Sequence, residues 1–434
     1  MISTKIIAIG VVAALCVVGA GAALMLLSDD DRGSPKEEKN LLIFGNANND
    51  NEIDNDDVAL LKDIAAGESE ATILSDANQD GKVDEKDVEM VEEIIALNKK
   101  IKDGDDYEKM KVFYRYPYGG TFYTGSVHYP LEKVCSVGTN VHLTVKLVGG
   151  VDKIVCRSGG TVDSVVLGDV ASKPAISDSV FRIDLEQFSS YSGNLDAVIT
   201  LDSLSYVDNY AMIESSGIPV IRMSASDGFD SIEGILTIGF LLGKEQRSQA
   251  YADLYYEVFG YVEDAVKDLS EDERTTVLSV TMGYYISGTG SDYYGVTQIA
   301  GGNNIADWSE TTKKLESTQE EWLLNYDAEY IISVRSWGYG SDIASSNWDN
   351  YEKYFMHTNA HNDGNYVMIN GNMPVLFRIA YIAAVLYPDL VSIDKVNEYH
   401  QKCIDDFFDD LSAAGYEVSD IWCIMTQTDN VGVL

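Results

Sequence analysis

Apolar positions along this chain follow three different rhythms. Residues 6–27 are uncharged and almost wholly apolar, long enough for a membrane-spanning helix of about 20 residues. Residues 41–98 are sparser and helical. Val58, Leu60, Leu61 and Ile64, then Val88, Val91, Ile94, Ile95 and Leu97, recur at the spacing of one helix face. From Met110 short apolar runs alternate with helical ones. Residues 110–124, with Pro117 and Gly119-Gly120 at the bend, predict a β-hairpin. Strands are predicted at 131–137, 153–156, 195–200, 219–222, 276–280 and 330–334, and a helix at 140–148. Residues 231–269 read as a long helical stretch interrupted near Gly243. Alternation of this kind implies parallel sheets covered by helices.

The expected class is α/β, with two Rossmann-like lobes joined by a long helix. A small all-α module and a transmembrane helix precede them. The boundaries are 1–28 for an anchor or signal, 29–40 for a polar linker and 41–98 for the small module. A second linker follows at 99–109, the first lobe at 110–230, the inter-lobe helix at 231–269 and the second lobe at 270–434. Lys5 before the apolar run and Asp29-Asp30-Asp31 after it place the N-terminus in the cytoplasm and the bulk of the chain outside. The run exceeds the apolar core of an ordinary signal peptide, which favours a retained single anchor.

Charge narrows the partners. The 434 residues carry a formal net charge of −39. Nucleic acid is excluded as a partner, because phosphate binding needs Lys and Arg. Cys135, Cys156, Cys403 and Cys423 lie beyond the anchor. Cys135 and Cys156 fall in apolar strand-like runs, where a thiol serves as a small buried side chain, and no bridge is assigned.

Two stretches within 41–98 align without a gap, the first opening at Asn46 and the second at Asp76. Asn46, Asn48, Asp50, Asp54 and Asp57 occupy positions 1, 3, 5, 9 and 12 of one loop. Asp76, Asn78, Asp80, Asp84 and Asp87 occupy the same positions of the other. Glu52 and Lys82 stand at position 7, where the backbone carbonyl is the ligand. This is the oxygen spacing of an EF-hand-like calcium loop. The second loop has more charge and a turn glycine, Gly81, so the stronger of two calcium sites is expected there. The duplicated loops, each followed by one helix and each ending in Asp, resemble the dockerin family. That resemblance implies a possible cohesin-like partner. Residues at positions 10 and 11, Asn55-Asp56 and Glu85-Lys86, depart from the small hydroxyl residues frequent in that family.

Residues 110–395 resemble the substrate-binding proteins of ABC importers for iron-siderophores, haem and cobalamin. The ordered fragments are Tyr129-Pro130 before the first lobe strand, Leu147-Val-Gly-Gly-Val-Asp-Lys-Ile-Val155, Ile238-Gly-Phe-Leu-Leu-Gly-Lys244, Ile299-Ala-Gly-Gly-Asn-Asn-Ile-Ala306 and Glu321-Trp-Leu-Leu before Glu329. The resemblance implies an ABC permease partner and a chelated-iron, haem or corrinoid ligand. It also implies one acidic residue on each lobe that meets the permease, here Glu186 and Glu321. The ligand is expected between the lobes. Tyr284, Tyr293, Arg335, Trp337 and Tyr339 are its candidate contacts, since loops after strand ends carry ligands in α/β sheets and aromatic faces suit flat ligands. No GxSxG elbow, P-loop or Cys–His signature occurs, so no enzyme is expected. The competing expectation is a cell-surface interaction protein that docks partners through a calcium-bound dockerin module.

Overall fold

The two calcium-type loops are each closed by a helix, Asn55–Ala66 and Glu85–Asp103. Each helix starts on a reciprocal capping box. Asp54 and Asp84 are the N-caps, and Asp57 and Asp87 return the hydrogen bond. Left-handed Gly67 and Gly104 end them. This computed structural model describes residues 41–118, 121–158, 162–177, 179, 183–202, 210–224, 231–281, 285–289, 291–307, 313–314, 323, 327–335, 338 and 341–427. The expected anchor and first linker lie outside these. Among the described residues no helix is long and apolar enough to cross a membrane.

A hairpin follows, β1 (Met110–Tyr118) against β2 (Thr121–Tyr129), paired antiparallel along its whole length. It leads into a five-stranded parallel sheet of order β5-β4-β3-β6-β7. Those strands are β3 (Val134–Val137), β4 (Ile154–Ser158), β5 (Ala175–Ser177), β6 (Ala197–Leu201) and β7 (Val220–Met223). Every residue of β3, β6 and β7 is buried, as expected of strands covered on both faces.

Two helices connect the lobes, Ser231–Leu241 and Glu245–Val266. The break falls at Gly243, whose φ of +66° turns the chain between them. The second sheet is mixed, in the order β11-β9-β8-β12-β13-β14, with β10 also on β8. It comprises β8 (Thr276–Thr281), β9 (Tyr285–Ile286), β10 (Asn303–Asn304), β11 (Lys313–Lys314), β12 (Tyr330–Arg335), β13 (Tyr366–Asn370) and β14 (Ile424–Thr426). β8, β12 and β13 are parallel, while β9, β11 and β14 join antiparallel.

Residues 38–434 form one compact unit. The loop module is not set apart from the lobes. Ile43 bridges to Tyr114 of β1, Phe44 N–H donates to Phe113 O at 3.0 Å, and Arg115 N–H donates to Leu42 O at 2.8 Å. One apolar core takes in Leu41, Ile43, Val91 and Ile94 together with Val112, Tyr114 and Val134. The stretch expected as a second linker departs from that expectation. Its first residues complete the Glu85–Asp103 helix, and Tyr107 Oη donates to Glu132 Oε1 at 2.6 Å.

Candidate functional site

The two loops share one backbone path. Their fourth residues, Asn49 and Gln79, are left-handed, with φ of 55° and 59°. Asp57 and Asp87 are buried and tie each loop shut in the same way. Oδ1 accepts from Asn48 N or Asn78 N at 3.1 Å, and Oδ2 accepts from Asp54 N or Asp84 N at 2.9 Å. Burial pushes the Asp57 carboxyl up to about 6, and the neighbouring Asp50 adds to the rise. Burial also raises Asp87.

At position 1 the loops part. Asp76 accepts from Asp80 N at 3.2 Å and from Gly81 N at 2.9 Å, and its carboxylate remains an oxygen donor. Asn46 is buried and turns its amide nitrogen onto Leu41 O at 2.8 Å and Asp50 O at 2.7 Å. Asn48 Nδ2 donates to Asp50 Oδ2 at 2.7 Å. Amide N–H groups thus occupy the first loop where a cation needs oxygens. The second loop fits a cation better, although Lys86 Nζ lies 3.3 Å from Asp80 Oδ2. Glu52 and Lys82 are exposed. Among the described residues, no group of three or more His, Cys, Asp or Glu side chains converges closely enough to hold a metal.

Of the expected ligand and docking residues, Tyr284, Glu321, Trp337 and Tyr339 lie outside the described residues, as does the Arg335 side chain. The Arg335 backbone ends β12, opposite Asn370 of β13. Glu186 is exposed in the first turn of the helix Leu185–Ser192, behind the N-cap Asp184. Tyr293 lies on the helix Asp292–Ile299 and packs against the core. The guanidinium carbon of Arg378 lies 5.7 Å from its ring centre.

Arg378 was not singled out from the sequence. It lies in the helix Val375–Leu386, nearly all of it buried, and is itself 2 % exposed. The signal was present, because it is the only charged residue in Val-Leu-Phe-Arg-Ile-Ala-Tyr-Ile-Ala-Ala-Val-Leu. Arg222, at the end of β7, is also buried, but Glu214 Oε1 sits 2.7 Å from its Nη1 and Tyr118 and Tyr210 flank it.

Comparison with known proteins places this architecture. No family model and no curated sequence matches the chain. Solved structures do. The TroA-like periplasmic binding protein FepB of Veillonella parvula matches at 16 % identity and a TM-score of 0.54, over 70 % of this chain and 97 % of that one. CeuE of Helicobacter pylori, solved as a nickel–histidine complex, matches at 14 % identity and a TM-score of 0.55, over 71 % and 99 %. The molybdate-binding protein MolA of Haemophilus influenzae matches at 13 % identity and a TM-score of 0.52, over 66 % and 95 %. The likeness is one of fold. Over about 70 % of its length, this chain carries the fold of the TroA-like periplasmic binding proteins.

Proposed function

We propose that the chain is an extracytoplasmic binding protein that captures a small ligand between its lobes and presents it to an ABC-type permease. It carries out no chemistry of its own. One observation carries this reading: two helix-covered sheets are joined by a long helical connection, and the match extends over nearly the whole length of periplasmic binding proteins such as FepB and MolA. Hinged lobes of this kind close around a ligand. The loops that follow β8 and β12 contain Tyr284, Trp337 and Tyr339 and are the proposed contacts for a flat chelate, haem or corrinoid. Glu186 and Glu321, one per lobe, are the proposed permease contacts, where charge pairs set register and encounter rate. Calcium at the second loop, held by Asp76, Asn78, Asp80, the Lys82 carbonyl, Asp84 and Asp87, is proposed as a structural cation. The module's backbone pairing with β1 favours a role in bracing the lobes.

A thermal-shift and calorimetric screen of residues 38–434 against haemin, cobalamin, ferric catecholates, nickel–histidine and molybdate tests the reading. Ligand at 100 times its dissociation constant adds about 2.7 kcal/mol of stability. Absence of any saturable shift across that panel would overturn it.

A further inference from the structure

A small void lies where the two lobes meet the inter-lobe helices. Its walls include Asn140 and Thr144 of the helix Thr139–Leu147, Ser231 at the start of Ser231–Leu241, Tyr251, and Val375 and Arg378 of Val375–Leu386. It has room for roughly one water-sized group. Two features make it more than a packing defect. Nε and Nη1 of Arg378 are buried with no hydrogen-bond partner among the described residues. In addition, first-turn residues of three helices line the void. Two of these helices begin at Gly138 and Pro374, neither of which supplies a side-chain cap.

A buried guanidinium without a carboxylate is costly, because removal from water is uncompensated. A single water would satisfy donors but would not balance the charge. Helix N-termini add positive potential at the same place. In a chain of net charge −39, a cation held inside with no acid among the wall residues has been kept away from the many available partners. We propose that Arg378 marks an oxyanion-binding site at the junction of the lobes. Resting on the binding-protein reading, this site takes a carboxylate or inorganic oxyanion group of the ligand. One oxygen fills the void, and parting of the lobes admits the rest. The Tyr293 ring centre lies 5.7 Å from the guanidinium carbon.

The test uses residues 38–434 as wild type, Arg378→Met and Arg378→Lys. Sulfate, phosphate, molybdate and citrate are each compared with chloride at equal ionic strength by thermal shift and calorimetry. At least one oxyanion is expected to bind wild type saturably. Its affinity should fall roughly tenfold or more in Arg378→Met and be partly restored in Arg378→Lys. Should both variants fail to fold, tungstate soaked into wild-type crystals decides, with an anomalous peak expected at the Arg378 guanidinium. Equal oxyanion binding by wild type and Arg378→Met, or no tungstate peak at Arg378, overturns the proposal. Cobalamin bound equally by wild type and Arg378→Met, with no oxyanion bound by either, removes the oxyanion site but leaves the binding-protein reading standing. No binding of any probe removes both.

Discussion

Glu245→Gln should make the protein more stable at neutral pH and leave it unchanged in acid. Glu245 opens the helix Glu245–Val266 and is half-buried against the first loop. Burial, then the charge of Glu52, pushes its carboxyl from 4.5 up to about 7, against the opposing hydrogen bond from Ile53 N and the charge of Lys102. Asn98 Nδ2 donates to its Oε2 at 3.1 Å, a bond that the glutamine oxygen can keep. Below pH 4.5 the carboxyl is protonated in both folded and unfolded chains, so no stability is lost. Between 4.5 and about 7 the unfolded chain releases the proton first, and stability falls as pH rises. Each pH unit is worth about 1.36 kcal/mol, so the full penalty approaches about 3 kcal/mol. Solvent at the exposed edge reduces this to about 2 kcal/mol. Urea denaturation of wild type and variant at pH 4.5, 6 and 8 measures it as the difference between the two curves. If the two proteins keep the same difference at pH 4.5 and pH 8, the reasoning about Glu245 is refuted.

Other sites give sharper single outcomes. Thr237→Val removes the acceptor of Leu42 N, a buried bond of 3.1 Å, and should cost about 1–3 kcal/mol in urea denaturation, since an unpaired N–H is left inside. Gly234→Ala places a Cβ 1.7 Å from the backbone oxygen of Ser224; a loss of about 3 kcal/mol or more is expected, and a variant melting within a degree of wild type would contradict the packing described. Calcium should raise the melting temperature of wild type and of Asn46→Ala but not of Asp76→Ala, which a titration after EDTA treatment will show. Glu186→Lys with Glu321→Lys should abolish uptake in cells while ligand affinity of the purified protein is unchanged; normal uptake would end the docking assignment.

The α/β class and the break at Gly243 were legible because they are local. The runs at 276–280 and 330–334 lie within β8 and β12, and a left-handed glycine leaves its own mark. Strand β13 was missed although Tyr366-Val-Met-Ile-Asn370 is fully buried. It follows a four-residue helix, Asn359–Asn362, where the sequence reads only as a polar loop. Joining of the loop module to the lobes was not legible at all. It depends on backbone groups of Leu42 and Phe44 meeting β1, and backbone pairing between distant segments leaves no residue-type signature. Arg378 was readable as a cation in an apolar helix, but that its Nε and Nη1 find no hydrogen-bond partner among the described residues required three dimensions. The difference between the two loops was half visible: Asn46 promised weaker binding, whereas the turning of its amide onto Leu41 O and Asp50 O appears only in the fold.

The bridge between Ile43 and Tyr114 also bears on where this protein can be cut. Strand β1 pairs with β2 on one side, and the segment around Ile43 shields part of its other side. An uncovered strand edge invites pairing with a second chain. The calcium-type loops and the two lobes differ in kind and look separable by sequence, yet they fold as a single piece. Starting the protein after the apparent boundary near residue 109 would expose Val112 and Tyr114, which are now 0 % and 1 % exposed, along a bare edge. The module read from the sequence and the folding unit therefore do not coincide, and the segment around Ile43 covers an edge of the strand that follows it.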